Sequence, residues 1–296
     1  MVQKMFPLPT SSAKESGAWY CGSYRLNYNK RPLLMAILNV TPDSFSDGGV
    51  FLNPKKATDH ALRMEEEGAD LIDIGGESTR PGAAPVSIKE ELRRTLPVIE
   101  QLVKKLRIPI SIDTTKSEVA RRAIDAGAAL INDVSGFSRD PRMISVIANT
   151  KAGFVIMHSK GTPQTMQRHP RYQDLIQEIK HFLEVQIETA LKEGIHKNRI
   201  VIDPGIGFGK TGNHNLKILH QLDRFTDLGV PVLIGPSRKS FIGRILDLPP
   251  SERVEGTAAT VAIAAFQGAR IFRVHDVKPL IRVLRVAEAI RKERMT

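Results

Sequence analysis

The sequence predicts an α/β fold, a (β/α)8 TIM barrel with a short N-terminal extension. Three observations support this fold class. A unit of amphipathic stretch, glycine and short apolar run recurs along the chain, the mean repeat is about 33 residues, and nearly every apolar run ends in a polar residue. The length of 296 residues suits one barrel that folds as a single domain.

The recurring unit is clearest in five places, each of which begins with a glycine after an amphipathic stretch. Glycine suits the position just beyond a helix, where a left-handed backbone ends the last turn. The apolar run that follows suits a strand buried on both faces, as in parallel sheets. These five units span residues 68–75, 127–133, 153–158, 229–235 and 268–275.

Three further apolar runs, 33–38, 108–112 and 199–202, bring the number of predicted strands to eight. The segments between them carry helical periodicity. We therefore expect residues 33–296 to form the barrel and residues 1–32 to form a leader, with capping of the barrel bottom as its expected role. An open, doubly wound sheet is the structural alternative, and it would gather its chemistry at one switch point.

Composition indicates an ordinary globular protein, with 41% hydrophobic and 25% charged residues. The single cysteine, Cys21, excludes an internal disulfide, and no Cys/His spacing suits zinc. Residues 1–17 lack the apolar core of a signal peptide, and no apolar run reaches the ~18 residues that span a bilayer. We expect a cytoplasmic protein without a membrane partner.

The net charge of +11 raises the possibility of a basic, non-catalytic nucleic-acid-binding module. Lysine and arginine are nevertheless interleaved with acids, as in 90–94 and 291–294, which is typical of solvated helix faces. Anionic small substrates account for a basic balance equally well. We therefore expect no nucleic-acid partner, and this module stands as the alternative from another functional class.

Polar residues at the predicted strand ends indicate an active site, because the C-terminal ends of the strands form the active face of such barrels. One such residue alone is more typical of a helix cap. A ring of them that converges on one mouth favours a ligand site. In chain order the ring comprises Asn39, Asp73, Asp113, Asn132, His158, Asp203, Lys239, Arg273 and His275.

The mixture of groups in this ring indicates the kind of ligand. Carboxylates, an amide and a lysine suit a flat heterocycle with donor and acceptor edges, such as a guanine or a pterin. Arg273 and His275, alternate residues at one strand end, offer cationic donors for a phosphate or pyrophosphate. The loops 41–49 and 75–82 are rich in Gly, Pro and small polar residues, which is typical either of lids or of plain surface connections.

The glycine-rich stretch GIGFGKT, residues 205–211, looks like a phosphate-binding loop but matches neither template. A Walker A loop would need glycine at position 204, which is Pro204, and the third glycine of G-x-G-x-x-G falls on Lys210. We interpret the stretch as the turn after the sixth barrel strand, in which glycines let the backbone pass close to a pocket beside Asp203.

Seven motifs resemble those of the dihydropteroate synthase family of folate biosynthesis, and together they cover the chain from about residue 34 onward. The resemblance implies condensation of (7,8-dihydropterin-6-yl)methyl diphosphate with 4-aminobenzoate to give 7,8-dihydropteroate and diphosphate. It also implies Mg²⁺ as cofactor, sulfonamides as inhibitors, and a homodimer formed through the outer helices. The motifs are LNVTPDSFSDGG (38–49), DIGGESTRPG (73–82), SIDTTK (111–116), IND (131–133), DPGIGFGK (203–210), SRKS (237–240) and RVH (273–275).

The resemblance assigns roles to individual residues. The pterin would be held by Asp113, Asn132, Asp203 and Lys239, with Met157 as an apolar wall. Arg273 and His275 would bind the diphosphate near Asp73 and Thr79, and Asn39 would bind Mg²⁺. Lids carrying Phe45, Arg80 and Pro81 would close over 4-aminobenzoate. Ser240 and Phe208 would also contact 4-aminobenzoate. Lys210 would be a supporting cation near the mouth. The residues implied as catalytic are Lys239, Arg273, His275 and Arg80.

One rival has the same fold. A pterin-binding methyltransferase barrel, which passes a methyl group from a folate to a corrinoid, would share the pterin-holding carboxylates and amide. It would not need both lid motifs or the Arg273–His275 pair. This methyltransferase barrel is the second alternative function.

Overall fold

The computed structural model describes residues 17–41, 54–80 and 82–294, and in these ranges it contains ten strands. The first two form a hairpin and the other eight form one parallel sheet. In chain order they are β1 Ala18–Cys21, β2 Tyr24–Asn27, β3 Leu33–Asn39, β4 Leu71–Gly75, β5 Ile110–Asp113, β6 Leu130–Asp133, β7 Gly153–Met157, β8 Ile200–Asp203, β9 Leu233–Ile234 and β10 Ile271–Val274.

The parallel sheet closes into a barrel, which confirms the predicted (β/α)8 fold and excludes the open sheet. Its strand order is β8-β7-β6-β5-β4-β3-β10-β9. The two ends meet at a parallel bridge between Ile202 and Val232, supported by a 3.0 Å hydrogen bond from the Ile202 N–H to the Pro231 carbonyl. The seventh barrel strand, β9, is only two residues long, so this seam has the fewest ladder hydrogen bonds.

Helices surround the barrel and alternate with its strands. Alternate residues of β3 show how the strands serve two cores: Leu34, Ala36 and Leu38 pack outward against helices, whereas Leu33 and Met35 pack inside the barrel. No helix in the described ranges is long and apolar enough to cross a bilayer. The α-helices are α1 Pro54–Glu66, α2 Ile88–Leu102, α3 Ser117–Asp125, α4 Met143–Ala148, α5 Leu175–Lys192, α6 Gly212–His220, α7 Asp223–Thr226, α8 Ser240–Leu246, α9 Val254–Phe266 and α10 Val277–Lys292.

The β1–β2 hairpin packs against the N-terminal ends of the barrel strands. Trp19 and Cys21 are fully buried there, in a cluster with residues such as Met35 and Val201 that fill the barrel interior. The Trp19 indole N–H donates to the Arg199 carbonyl at 2.9 Å. The hairpin therefore shields the apolar interior on the side opposite the strand ends that carry the polar ring.

Four of the five glycines that open the recurring unit have the expected left-handed backbone, with φ of 106° at Gly68, 105° at Gly127, 68° at Gly229 and 101° at Gly268. The prediction was wrong for Gly153, which is the first residue of β7 and has no positive φ. A Cβ there would lie 2.5 Å from the sulfur of Cys21, so this glycine serves close packing against the hairpin.

Candidate active site

The polar residues predicted at the strand ends gather around the guanidinium of Arg273, which comes from β10. Its Nε donates to Asp73 Oδ2 at 2.6 Å and its Nη2 donates to Asp113 Oδ2 at 2.7 Å. These carboxylates come from β4 and β5, so Arg273 crosses the mouth of the barrel. The arginine side chain is 19% exposed, which leaves part of the guanidinium open to a ligand.

Asp73 lies at the bottom of this group and is completely buried. Its Oδ2 also accepts a 3.0 Å hydrogen bond from the Asn132 side-chain amide. The other oxygen, Oδ1, is buried and has no hydrogen-bond partner among the described residues. Asp73 thus orients both Arg273 and Asn132, which places it beneath the site rather than on its surface.

Burial changes the acidity of Asp113. Loss of hydration raises the pKa of this carboxyl to about 7, because the stabilising charge of Arg273 is opposed by the carboxylate of Asp73 and by desolvation. A ligand that donates hydrogen bonds to Asp113 would favour the ionised form of this carboxyl.

Asp203 closes β8 and is the second buried acid of the mouth. Its Oδ1 accepts a 2.7 Å hydrogen bond from the Gly205 N–H, which leaves Oδ2 for a ligand. Burial raises the pKa of Asp203 to about 6, and the Gly205 N–H and the charge of Lys239 limit the rise. Met157, which pairs with Asp203 across the β7–β8 ladder, is buried beside it.

Lys239 precedes α8 and reaches the same mouth. Its Nζ lies 4.2 Å from the centre of the Phe208 ring, a cation–π contact that ties the turn after β9 to the turn after β8. Burial and the charge of Arg273 lower the pKa of Lys239 to about 8, and Asp203 and Asp113 oppose that decrease. Lysine, arginine and two acids therefore share one desolvated space, in which opposite charges hold each other in place.

The surroundings of His275 favour a neutral ring, whereas the sequence suggested a second cationic donor beside Arg273. Burial and the charges of Arg273 and Arg238 lower the pKa of His275 to about 3. Its Nδ1 is 2.9 Å from Ser237 Oγ, and the same Oγ accepts from the His275 backbone N–H at 3.2 Å. Of this pair, Arg273 is therefore the residue expected to carry a charge at neutral pH.

Lys210 is buried, whereas the sequence suggested a supporting cation near the mouth. Its side chain is 2% exposed, and its Nζ is 2.9 Å from His158 Nδ1 and donates to the Phe208 carbonyl at 3.0 Å. Burial lowers the pKa of Lys210 to about 7 and, together with the Lys210 charge, that of His158 to about 2. The His158 ring therefore contacts Lys210 and does not lie beside Asp113 and Asp203 at the barrel mouth.

The remaining predicted residues lie at the edge of the site or outside the described residues. Asn39 ends β3, and its Oδ1 lies near Gly75, as does the Asp113 carboxylate. Thr79 is half-buried, whereas Arg80 and Ser240 are exposed. Phe45 and Pro81 fall in the gaps of the described ranges.

Three residues that sequence reasoning missed anchor the loop after β4. Lys116 Nζ binds Glu77, which lies in that loop, and Glu91 of α2 at 2.5 Å. Glu91 is completely buried, and burial raises the pKa of its carboxyl. No local signal marks Glu91 as special, because an acid in a helix usually faces solvent. Its role depends on a neighbour that only the folded barrel supplies.

Comparison with known proteins identifies the family of this barrel. The sequence matches the family described as "Pterin binding enzyme" over residues 35–275. It is 51% identical over 270 residues to the dihydropteroate synthase of Synechocystis, across 91% of this chain and 93% of that protein. The chain belongs to the dihydropteroate synthase family. Dihydropteroate synthases are transferases of folate biosynthesis.

Solved dihydropteroate synthases share the fold as well as the sequence. The Yersinia pestis dihydropteroate synthase in complex with a sulfonamide drug superposes with a TM-score of 0.89 at 45% identity, over 93% of this chain and 99% of that one. The Xanthomonas albilineans dihydropteroate synthase with 4-aminobenzoic acid gives a TM-score of 0.87 at 46% identity, over 93% and 98% of the two chains.

Proposed function

We propose that this chain condenses (7,8-dihydropterin-6-yl)methyl diphosphate with 4-aminobenzoate and releases diphosphate. The observation that carries the proposal is the cluster of Asp113, Asn132, Asp203, Lys239 and Arg273 at one barrel mouth in a member of this family. A pterin offers paired N–H donors and a carbonyl along its edges, and these residues offer the complementary acceptors and donors.

The pterin would be held chiefly by charge-assisted hydrogen bonds. Asp203 keeps one oxygen free beyond its bond to Gly205, and Asp113 is poised to ionise when N–H donors approach. Lys239 would donate to the pterin carbonyl, and Asn132 would serve a donor or an acceptor. Buried Met157 would form an apolar wall against the ring. Removal of these groups would therefore affect pterin binding before it affects bond cleavage.

The diphosphate would bind at the exposed part of Arg273, beside His275 and Thr79. Ser237 Oγ accepts from the His275 backbone, so its own hydrogen is available to Nδ1 of the ring. That arrangement would leave the ring proton on Nε2, from which a neutral histidine can donate to a phosphate oxygen. Asp73 would fix the guanidinium from below.

Mg²⁺ would be bound here mainly by the diphosphate of the substrate, with few ligands from the protein. Asn39 supplies an amide oxygen, a kind of ligand that Mg²⁺ accepts. Within the described ranges no group of three His, Cys, Asp or Glu side chains can hold a metal, so diphosphate oxygens and waters would complete the shell. When bound, Mg²⁺ would neutralise charge on the leaving diphosphate.

4-Aminobenzoate would occupy the outer part of the mouth. The carboxylate would meet the exposed Ser240 at the start of α8, and the ring would lie near Phe208. Arg80 belongs to a loop that Glu77 ties to Lys116, so it can close over the ring while its base stays fixed. Phe45 and Pro81 are proposed for the same closure. A sulfonamide, which mimics 4-aminobenzoate, would compete for this place.

The chemistry we propose is dissociative. The bond between the methylene carbon and diphosphate oxygen breaks with its electron pair on oxygen, and the electron-rich dihydropterin delocalises the resulting cation. The amine nitrogen then forms the new C–N bond and loses one proton, which diphosphate or water accepts. The site residues mainly position the amine and neutralise the leaving group, as expected when Lys239, Arg273, His275 and Arg80 surround the reacting atoms.

The direct test measures diphosphate release from the pterin diphosphate, 4-aminobenzoate and Mg²⁺, with and without a sulfonamide. We expect release that depends on all three components and is inhibited competitively with 4-aminobenzoate. Absence of release under every condition would refute the proposed activity. Capture of a pterin methyl cation together with diphosphate in the crystal would support the dissociative course, whereas bond cleavage at a rate wholly set by 4-aminobenzoate would contradict it.

The same experiment separates the two alternatives. A methyl-transferring pterin barrel would transfer methyl from a methylated folate to a corrinoid and release no diphosphate. A nucleic-acid-binding module would shift DNA or RNA in a salt-dependent manner without turnover of the pterin diphosphate. The relatives described above favour the synthase over both.

We also propose a homodimer built through the outer helices. A groove of about 380 Å³ lies between α6, α8 and α9 and is lined by apolar side chains such as Leu216, Ile245 and Ile263. Ile245, Ile263 and Phe266 are 61%, 55% and 63% exposed. Apolar surface of this kind is typical of an interface.

The buried free thiol of Cys21 agrees with the cytoplasmic location expected from the sequence.

A further inference from the structure

The turn that joins β9 to α8 has an unusual backbone at Arg238. Its φ is 56°, in the left-handed region that side chains other than glycine and asparagine seldom adopt. The next residue, Lys239, is extended and carries the ammonium that lies on the Phe208 ring. The strained residue thus immediately precedes a residue that we place in the pterin pocket.

Four contacts hold Arg238 in this conformation. Its guanidinium binds Asp276 through two hydrogen bonds, from Nε at 3.0 Å and from Nη2 at 2.5 Å. Its backbone N–H donates to Thr257 Oγ1 at 3.1 Å, and its carbonyl accepts from Arg253 Nη1 at 3.0 Å. A conformation that costs energy locally persists here because the surroundings fix it from several sides.

Asp276 belongs to the neighbouring loop and directly follows His275. Ser237, which directly precedes Arg238, contacts the ring and the backbone N–H of His275. Two adjacent residues of one loop are therefore bound to two adjacent residues of the next. The Arg238 and Asp276 side chains are 35% and 20% exposed, so solvent screens their pair only in part.

We infer that the Arg238–Asp276 pair is a positioning device, which sets the place of Lys239 on one side and of His275 on the other. This inference rests on the proposed function, because it concerns the geometry with which these residues meet the pterin and the diphosphate. Neither Arg238 nor Asp276 touches the substrates in our assignment. The pair acts only through the two residues that it aligns.

Without the pair, the turn is free to relax from its left-handed form, and the Lys239 ammonium loses its fixed direction. Small losses of alignment at a reacting centre have large effects on rate. We expect Asp276→Asn and Arg238→Ala to lower kcat/KM for the pterin diphosphate by about tenfold or more. Asp276→Glu, which keeps the carboxylate, should recover much of that loss.

Two comparisons distinguish positioning from a general effect on the fold. Arg238→Gly removes the guanidinium but also removes the backbone strain, so it should be more stable than Arg238→Ala and yet lose as much kcat/KM. The effect of Asp276→Asn should be smaller in a Lys239→Ala background, where only the alignment of His275 is left to lose, and smaller in a His275→Ala background, where only that of Lys239 is left. Arg142→Ala, which breaks the ion pair of the exposed Arg142 with Asp140, is the matched control and should have the kcat/KM of the wild type.

Steady-state kinetics with both substrates and Mg²⁺ measure kcat/KM for each variant, and thermal melts show whether each variant folds. Full activity of Arg238→Gly would overturn the inference, even if the other variants do not fold. An undiminished effect of Asp276→Asn in both the Lys239→Ala and the His275→Ala backgrounds would overturn it as well. Absence of turnover by the wild-type chain would instead refute the proposed function, and so the two failures can be told apart.

Discussion

At the scale of single residues, the site works because buried charges have specific partners. Asp203 accepts from the Gly205 N–H with one oxygen, and we assign its other oxygen to the pterin. Asp203→Asn should keep the hydrogen bond from the Gly205 N–H but remove the negative charge that would bind the pterin. We expect pterin binding to weaken by about 10- to 100-fold, because a hydrogen bond to a charged group contributes roughly 1.5–3 kcal/mol. Calorimetric titration with the pterin measures this loss directly.

Arg80→Ala should be compared with Asp203→Asn in the same measurements. Arg80 is exposed in a loop that we assign to closure over 4-aminobenzoate, so its loss should reduce turnover by about tenfold and change pterin affinity little. Equal losses of pterin affinity in Arg80→Ala and Asp203→Asn would contradict the division of roles between the loop and the pocket.

Lys210 leads to a prediction about pH. Its pKa is lowered from about 10.5 in the unfolded chain to about 7 in the fold. Between these values the unfolded state binds the proton and the folded state does not, so this residue makes stability increase as pH rises from about 7 to 10. Compared with Lys210→Met, the wild-type protein should gain free energy of unfolding across that window in urea titrations.

His158, Asp203 and Lys239 face or adjoin the Lys210 ammonium, and their own titrations bear on the result. His158 and Asp203 titrate at about 2 and 6, below the window, whereas Lys239 titrates at about 8, within it. The double variant Lys210→Met/Lys239→Met controls for that contribution. A stability difference between wild type and Lys210→Met that stays constant from pH 7 to 10 would disprove the burial of a titrating Lys210.

At the scale of elements, the turn after β8 is specified by its glycines. Gly205 has φ 75°, and a Cβ there would lie 1.9 Å from the His158 carbonyl oxygen. Gly205→Ala should therefore destabilise the protein by more than about 2 kcal/mol and weaken pterin binding, since the same turn sets Asp203 and Phe208. Urea unfolding and pterin titration together measure both effects.

Gly212, the first residue of α6, provides the matched control for this substitution. A Cβ at Gly212 would meet no atom within 4 Å, and its φ is not positive. Gly212→Ala should change stability by less than about 1 kcal/mol and leave pterin binding unchanged. Equal destabilisation by the two substitutions would show that the turn is not the reason for the glycine at position 205.

The same turn illustrates what the sequence could and could not predict at this scale. Asp203 was predicted as a site residue because it ends an apolar run, and a side chain there faces the mouth of any such barrel. The direction of Lys210 depends on the left-handed backbone at Gly209 and on His158, 52 residues away. Local pattern does not encode such contacts.

At the scale of the whole molecule, periodicity predicted the barrel because each strand is buried on both faces and each helix on one. The hairpin of β1 and β2 was harder to predict, since its four-residue strands carry too little pattern to read. Gly153 shows its effect on the pattern: the sequence predicts a helix-ending glycine there, whereas the glycine in the fold leaves room for Cys21 of the hairpin.

The helices outside the barrel support the last prediction, which concerns assembly. α9 is apolar on nearly all sides, as expected of a helix that packs on the barrel and, in the homodimer that we propose, on a second subunit. Ile263→Glu should therefore convert a dimer into a monomer of 32.8 kDa, because it places a charge in the apolar groove between α6, α8 and α9. Val185→Glu, on the exposed face of α5, is the control and should remain dimeric. Sedimentation equilibrium distinguishes the two masses, and an Ile263→Glu protein that still has twice the chain mass would exclude this face as the interface.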